Sequence, residues 1–385
     1  MAILISADDA CALLGVTRQT LYSYVSRGLL QALPGPDHRT RLYRRGEVER
    51  LARRPQRRRA GQAARGALDF GPAVMESSLS LIEDERLYFR GVPAEELAGS
   101  ASLEDVARLL WSDDANAVDL FAAPAPPPWP PRQEAAPAFS TAAPLQRALA
   151  LFALADPATG NDDAAALLRE MAAILLHTEP SATPLHQQCA RAWKLDHRGE
   201  DLVRGALALC ADHELNASSF AARVVASTGA SLRETLRGGL AALSGPRHGQ
   251  ATAVVEDLWD AVDAGAEPRA ELSRRLERGE PVSGFGHPLY RRGDPRAAWI
   301  LSRLPAEARN PALQAAAMAL LGEAPNLDFS LVALRRHLGL PLGSAFLLFC
   351  LGRCVGWIAH ALEQRPRGLI RPRAVYTGRR PDAVN

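Results

Sequence analysis

Lysine is almost missing from this 385-residue chain: of 45 basic side chains only Lys194 is a lysine, and the rest are arginines. That bias reflects codon usage as much as function. Cysteine is sparse as well. Cys11, Cys189, Cys210, Cys350 and Cys354 are scattered, and no pair has metal-ligand spacing. A disulfide scaffold and a zinc site are thereby excluded, and reduced, buried thiols in a cytoplasmic protein are expected. The N-terminal stretch "MAILISADDACALLG" has no basic start and no cleavage site, so a signal peptide is not expected. Uninterrupted apolar runs are lacking too. The most membrane-like segment, "SAFLLFCLGRCVGWIAHALE" from Ser344, carries Arg353 at its centre and His360 near its end. Charge at that depth argues against a bilayer span and for a helix buried in protein. Alternating β patterns are scarce.

What is present is an ordinary globular composition, 47% hydrophobic and 23% charged, long enough for two or three domains. Net charge is only +2, but it is unevenly placed. Residues 1–66 hold thirteen arginines against five acids, an excess of eight positive charges that leaves the remainder at −6. A basic head on a mildly acidic body suggests two functions in one chain. In the head, Ser6 can cap a first helix with Asp8 and Asp9 in its first turn, and Ala10, Leu13 and Leu14 give it an apolar face. Gly15 ends that helix. Thr17 caps a second, with Leu21 and Val25 pointing inward. "TRLYRRGEVERLARR" then reads as a wing followed by a third helix. This head resembles the winged helix-turn-helix of the MerR and excisionase type. The resemblance implies duplex DNA as a partner. Arg18, Gln19, Thr20, Tyr22 and Tyr24 would lie on or near the recognition helix, and Arg39, Arg41, Arg44 and Arg45 near phosphates. The alternative is a module that mediates only protein contacts or dimerisation.

An arginine- and alanine-rich linker follows. Eight of the 28 prolines then fall between Ala122 and Pro144, which excludes a regular helix or a central strand there and predicts a surface loop. From Pro144 onward, alanine- and leucine-rich helical patterns run almost without break, so the body is expected to be all-α with many helices.

Three of the nine histidines have unusual surroundings: His213 in "CADHELNAS", His248 in "LSGPRHGQA" and His287 in "SGFGHPLYRRGDPR". The last two sit in glycine-flanked turns, where a ligand can approach the backbone. A lone histidine is more often structural, and no HxxxH or Cys/His spacing supports a metal. Asp328, in "EAPNLDFSLVALRRH", precedes an apolar helix and could be its cap or a free carboxylate. Arg353, inside the apolar helix, needs an anionic partner, either an acid of the chain or a bound carboxylate. Together these side chains offer an acid/base set of two histidines and one aspartate, with arginines able to hold a di-acid. That set suits enolisation of a carbon acid and attack on a keto-acid.

"GPRHG", "GFGHPLYRRGDPR", "PNLDF", "LGRCVGWIAHALEQ" and "IRPRAVYTG", in that order, resemble the motifs of citrate synthase. "ADHELNASSFAARVVAS" is similar to that family's oxaloacetate-contact segment, and "SSLSLIEDERLYFRGVPAEELA" to its N-terminal region. The resemblance covers roughly residues 70–378. It implies a helix-turn-helix domain over 1–54, a basic linker over 55–69, a large domain of 70–249 and 343–385, and a small domain of 250–342. It implies Asp328 as the base toward acetyl-CoA, His248 as donor to the thioester oxygen, and His287 as the group that polarises oxaloacetate and protonates the new alkoxide. His213, Arg296, Arg353 and Arg371 would bind oxaloacetate or citrate carboxylates, with Arg371 coming from a partner subunit in a homodimer, and Arg291 would lie near CoA. Acetyl-CoA would be a substrate, with no cofactor, metal or membrane. The sequence departs from the family at Gln250, Thr252 and Pro288, which bear on substrate identity and rate. 2-Methylcitrate synthesis, and a regulator whose body senses a CoA ester or di-acid, are the alternatives.

Overall fold

In a computed structural model the described residues are 4–14, 16, 18–26, 30–34, 41–45, 48, 75–112, 119–155, 160–280, 282–372 and 378. The chain divides into two compact units: Met1–Glu76 with Pro372–Asn385, and Ser77–Arg371.

The first unit contains β1 (Leu4–Ile5), α1 (Ala7–Leu14), α2 (Arg18–Ser26), β2 (Ala32–Pro34) and β3 (Arg41–Arg44). The strands form an antiparallel sheet in the order β1-β3-β2, with Ile5 and Ala32 both opposite Tyr43. Ser6 starts α1 as expected. Its hydroxyl accepts from the Asp9 N–H at 3.1 Å, and the Asp9 carboxylate reaches back to the Ser6 N–H at 3.3 Å, a reciprocal cap. The small core is Ala10, Leu21, Leu30, Tyr43 and Val48, with Ala7, Cys11 and Leu14 packed on it. Leu13 corrects the sequence reading: it is 42% exposed. The inward face of α1 is the i, i+3, i+4, i+7 set beginning at Ala7, and Leu13 lies well off that stripe. Gly15, Thr17, Arg39, the linker and most of the expected third helix lie outside the described residues, as do the side chains of Gln19 and Thr20.

The second unit opens with an antiparallel sheet, β4 (Ser80–Glu83), β5 (Arg86–Phe89) and β6 (Val92–Pro93). Asp84 and Glu85, both at positive φ, make the two-residue turn between β4 and β5. The rest is helical. α3 (Ala94–Ser100) and α4 (Leu103–Trp111) precede the proline-rich segment, which holds only the short α5 (Pro130–Ala135) and 3₁₀ turns. Then come α6 (Pro144–Phe152), α7 (Ala164–Leu176), α8 (Leu185–Trp193), α9 (His197–Cys210), α10 (Ala217–Ser227), α11 (Leu232–Leu243) and α12 (Ala251–Asp263). α13 (Pro268–Glu277), α14 (Pro295–Ser302), α15 (Pro311–Leu321), α16 (Leu327–His337) and α17 (Ser344–Gln364) complete it. The all-α class expected for the body therefore holds, apart from the small sheet at its start.

α17 is the spine. It is the one helix among the described residues long and apolar enough to cross a membrane, yet all of its residues except Leu362 and Glu363 are buried. α4, α6, α7, α9, α10, α11, α12 and α16 pack around it. Such all-round burial removes any need for an amphipathic face, which is why the sequence looks membrane-like there. All five cysteines are free, four of them buried.

Candidate active site

Two chain segments distant in sequence are stitched together at the centre of the second unit. The Gly286 N–H donates to the Ala324 carbonyl at 2.8 Å, the Asn326 N–H to the Gly284 carbonyl at 2.9 Å, and the Asn326 side-chain amide to the Gly286 carbonyl at 3.1 Å. These bonds hold the His287 turn against the start of α16, which carries Asp328. Glycine suits position 286: its φ is +71°, a conformation that side-chain-bearing residues rarely adopt. Asn326, not Asp328, caps α16, accepting from the Asp328 and Phe329 N–H groups. The capping alternative for Asp328 therefore falls away. Among the described residues no group donates to the Asp328 carboxylate. Burial pushes its pKa up to about 6, against the pull of Arg296 and Arg353.

Asp294 fastens the same junction. It caps α14 through the Arg296 N–H, takes the Arg296 Nε and Nη2 in a fork at 2.9 and 2.7 Å, and accepts from the Leu327 N–H at 3.1 Å. One edge of the Arg296 guanidinium is thus occupied, leaving Nη1 with no partner among the described residues.

His287 accepts the Leu289 N–H on Nδ1 at 3.2 Å. That bond requires a bare Nδ1, so the neutral ring carries its proton on Nε2. Burial, then the Arg296 charge, lowers the pKa of His287 to about 4. His248 sits in the turn between α11 and α12, with Nε2 2.8 Å from the Ser218 hydroxyl and its ring edge-on to Phe349. Its pKa is likewise down to about 4, through burial and then Arg353. His213 is buried with its Nε2 2.9 Å from the Tyr290 hydroxyl and its ring 4.9 Å from that of His287. Burial first, then Arg296 and His287, holds it neutral. Both imidazoles and the third ring are therefore uncharged near neutral pH.

Arg353 is 2% exposed, stacks over Phe349 at 4.8 Å and donates from Nε to the Cys210 carbonyl at 2.9 Å. Among the described residues it has no acid within ion-pair distance. The acid whose charge acts most on it is Asp212, which is itself paired with His360. The charge of Arg353 acts on His248 and, more weakly than other groups, on His213 and Asp328.

The segment behind His213 is clamped. Asp212 accepts from the Ser80 hydroxyl at 2.7 Å and pairs with His360 at 3.2 Å, while Ser80 also takes the Glu214 N–H at 2.9 Å. Gly356 lets α17 approach: its N–H donates to the Ala211 carbonyl at 2.9 Å, and a Cβ there would sit 2.4 Å from that oxygen. Arg291 and Arg371 are exposed. Gln250 lies at the N-terminus of α12 without bonding the backbone there, and Pro288 is exposed.

A sequence model described as "Citrate synthase, C-terminal domain" matches residues 70–373, and one described as "Helix-turn-helix domain" matches residues 4–55. The chain belongs to the citrate synthase family. Among relatives, the citrate synthase of Haloferax volcanii is 39% identical over 185 residues, 45% of this chain and 49% of that protein. The 2-methylcitrate synthase of Shewanella oneidensis is 37% identical over 189 residues, 46% and 50% of the two chains. The chain spans about half the length of the curated relatives it matches. The fold is that of solved citrate synthases. The Thermotoga maritima enzyme aligns with a TM-score of 0.67 at 24% identity, over 82% of this chain and 96% of that one. The Thermoplasma acidophilum enzyme, solved with carboxymethyl coenzyme A and oxaloacetate, aligns at 0.69 and 22% identity, over 84% and 98%.

Sequence reasoning singled out the three histidines, Asp328, Arg296 and Arg353, and the structure brings all six together. It missed Ser218, Tyr290, Asp294, Asp212 and His360. Only Asp294 left a local signal, the Asp-Pro that opens a helix.

Proposed function

We propose that the chain condenses acetyl-CoA with oxaloacetate to give citrate and CoA. The observation that carries this reading is a carboxylate with no donor among the described residues, Asp328, stitched beside the neutral His287 and within the field of the buried Arg296 and Arg353 guanidinium groups. Asp328 takes a methyl proton from acetyl-CoA. A carboxylate is too weak a base for that proton unless the oxyanion is stabilised as it forms. His248 supplies that help. The Ser218 hydroxyl lies 2.8 Å from both His248 Nε2 and Asn216 Oδ1, and Oδ1 already accepts two backbone N–H groups. Directing the hydroxyl proton at Nε2 leaves the ring proton on Nδ1 as the donor. The enolate carbon then bonds to the oxaloacetate carbonyl carbon, and the His287 Nε2 proton passes to the new alkoxide. Water cleaves the citryl thioester and releases CoA. Arg353, the free edge of Arg296, His213 and a partner subunit's Arg371 hold carboxylates, and Arg291 addresses CoA. Residues 70–249 with 343–385 form the large domain and 250–342 the small one, closing to exclude water. The protein works as a cytoplasmic homodimer.

The test is release of CoA thiol by the full-length protein given acetyl-CoA and oxaloacetate. No release with acetyl-CoA or propionyl-CoA, from folded protein, refutes condensation. Faster release with propionyl-CoA selects 2-methylcitrate synthesis, which one of the relatives favours. A second role is supported by the helix-turn-helix match and the basic head: the first unit binds duplex DNA, and the body conveys the level of a CoA ester or di-acid.

A further inference from the structure

One buried polar side chain near the cluster has no role in the steps above. Tyr290 is 2% exposed, and its hydroxyl lies 2.9 Å from His213 Nε2. Its ring centroid is 4.9 Å from that of His287 and 5.8 Å from the Arg296 guanidinium carbon. Its N–H donates to the His287 carbonyl at 3.1 Å, so it rides on the same turn as His287. A single side chain therefore lies against three of the groups assigned to oxaloacetate, and it adds a hydrogen bond between the His287 turn and the segment of His213. A side chain that only filled space would not need a hydroxyl, and an unpaired hydroxyl buried there would be unfavourable.

We infer that Tyr290 is a positioning residue for the keto-acid: its hydroxyl fixes the tautomer and ring plane of His213. This inference rests on the oxaloacetate reading of the site. The phenol keeps its proton in this buried setting and His213 stays neutral. With the hydroxyl as donor, Nε2 accepts and the ring proton of His213 sits on Nδ1. Without the hydroxyl the contact at Nε2 that selects between the two tautomers is lost, and only one tautomer suits the di-acid. The ordering is then done when the ligand binds, and affinity falls.

The variants are Tyr290→Phe, His213→Ala and the double substitution, each made in the full-length chain. Oxaloacetate affinity is read by calorimetry and as KM, alongside KM for acetyl-CoA and Tm. Tyr290→Phe is expected to weaken oxaloacetate about tenfold, the scale of one lost buried hydrogen bond, to leave KM for acetyl-CoA and Tm near wild type, and to have no further effect once His213 is alanine. An equal loss in both backgrounds, or none in either, overturns the inference while leaving the condensation reading intact. Wild-type protein that neither binds nor consumes oxaloacetate overturns that reading, and this inference with it.

Discussion

As the proposed base, Asp328 would have to do two opposed things: be ionised to take a proton, in surroundings that favour the protonated form. With a pKa of about 6, the base is half ionised one unit below neutrality. The rate as kcat/KM should rise with pH through about 6 and level off above it, whereas His248 and His287, titrating near 4, are already neutral across that range. A profile flat from pH 5 to 8 would remove Asp328 as the base. Its linkage to stability has the opposite sign to that of a salt-bridged acid. The folded pKa lies above the ordinary 3.8, so the group's stabilising contribution is full at low pH and is lost as pH rises through about 6. Asp328→Asn should therefore lower turnover by about 10²- to 10⁴-fold while keeping or raising Tm at pH 8. A Tm well below wild type would mean that the carboxylate holds the fold together. The two imidazoles pull the other way, since their lowered pKa values withdraw stability as pH falls below 6.5.

Between elements, the decisive contacts are those no local pattern announces. Asp294 is one carboxylate serving α14, Arg296 and the first turn of α16 at once. Removing it with Asp294→Ala leaves Arg296 buried without a counter-charge, which costs about 3–5 kcal/mol by comparison with other broken buried pairs. Chemical denaturation of the variant measures this directly, and a loss under about 1 kcal/mol would show the fork to be incidental. Helices with caps and long apolar runs were legible in the sequence, because capping and burial act on neighbouring residues: Ser6 before α1 and the whole of α17 are examples. The site was legible as a set of motifs for the same reason, since glycine-flanked turns mark where a backbone must be bare. Tyr290 bonding His213 and His360 bonding Asp212 join positions 77 and 148 apart in the chain. No window of sequence contains such a pair, and neither a Tyr in an arginine-rich turn nor a His in an apolar helix carries a sign of its partner. Leu13 failed for a related reason, because its helix is too short for an edge position to be told from the buried stripe.

At the scale of the whole molecule, the division seen in the charge balance reappears as two units with separate cores. The first unit has its own small apolar core and leaves Arg18, Tyr22, Arg41, Arg44 and Arg45 exposed. Arg18 pairs with Asp8 at 2.6 Å, but both side chains are mostly solvated, so the pair is a weak competitor for a phosphate. If Arg39, Arg41, Arg44 and Arg45 each neutralise one phosphate, the logarithm of the binding constant should fall against the logarithm of salt with a slope of about −3.6. Gel retardation of duplex DNA by the full-length chain across a salt series gives that slope, and Arg41→Ala should make it shallower by about one. Because the head and the proposed condensing site have their own cores, the same variant should leave thiol release unchanged. Retention on DNA that ignores salt, or none at low salt, would assign this unit to protein contacts instead.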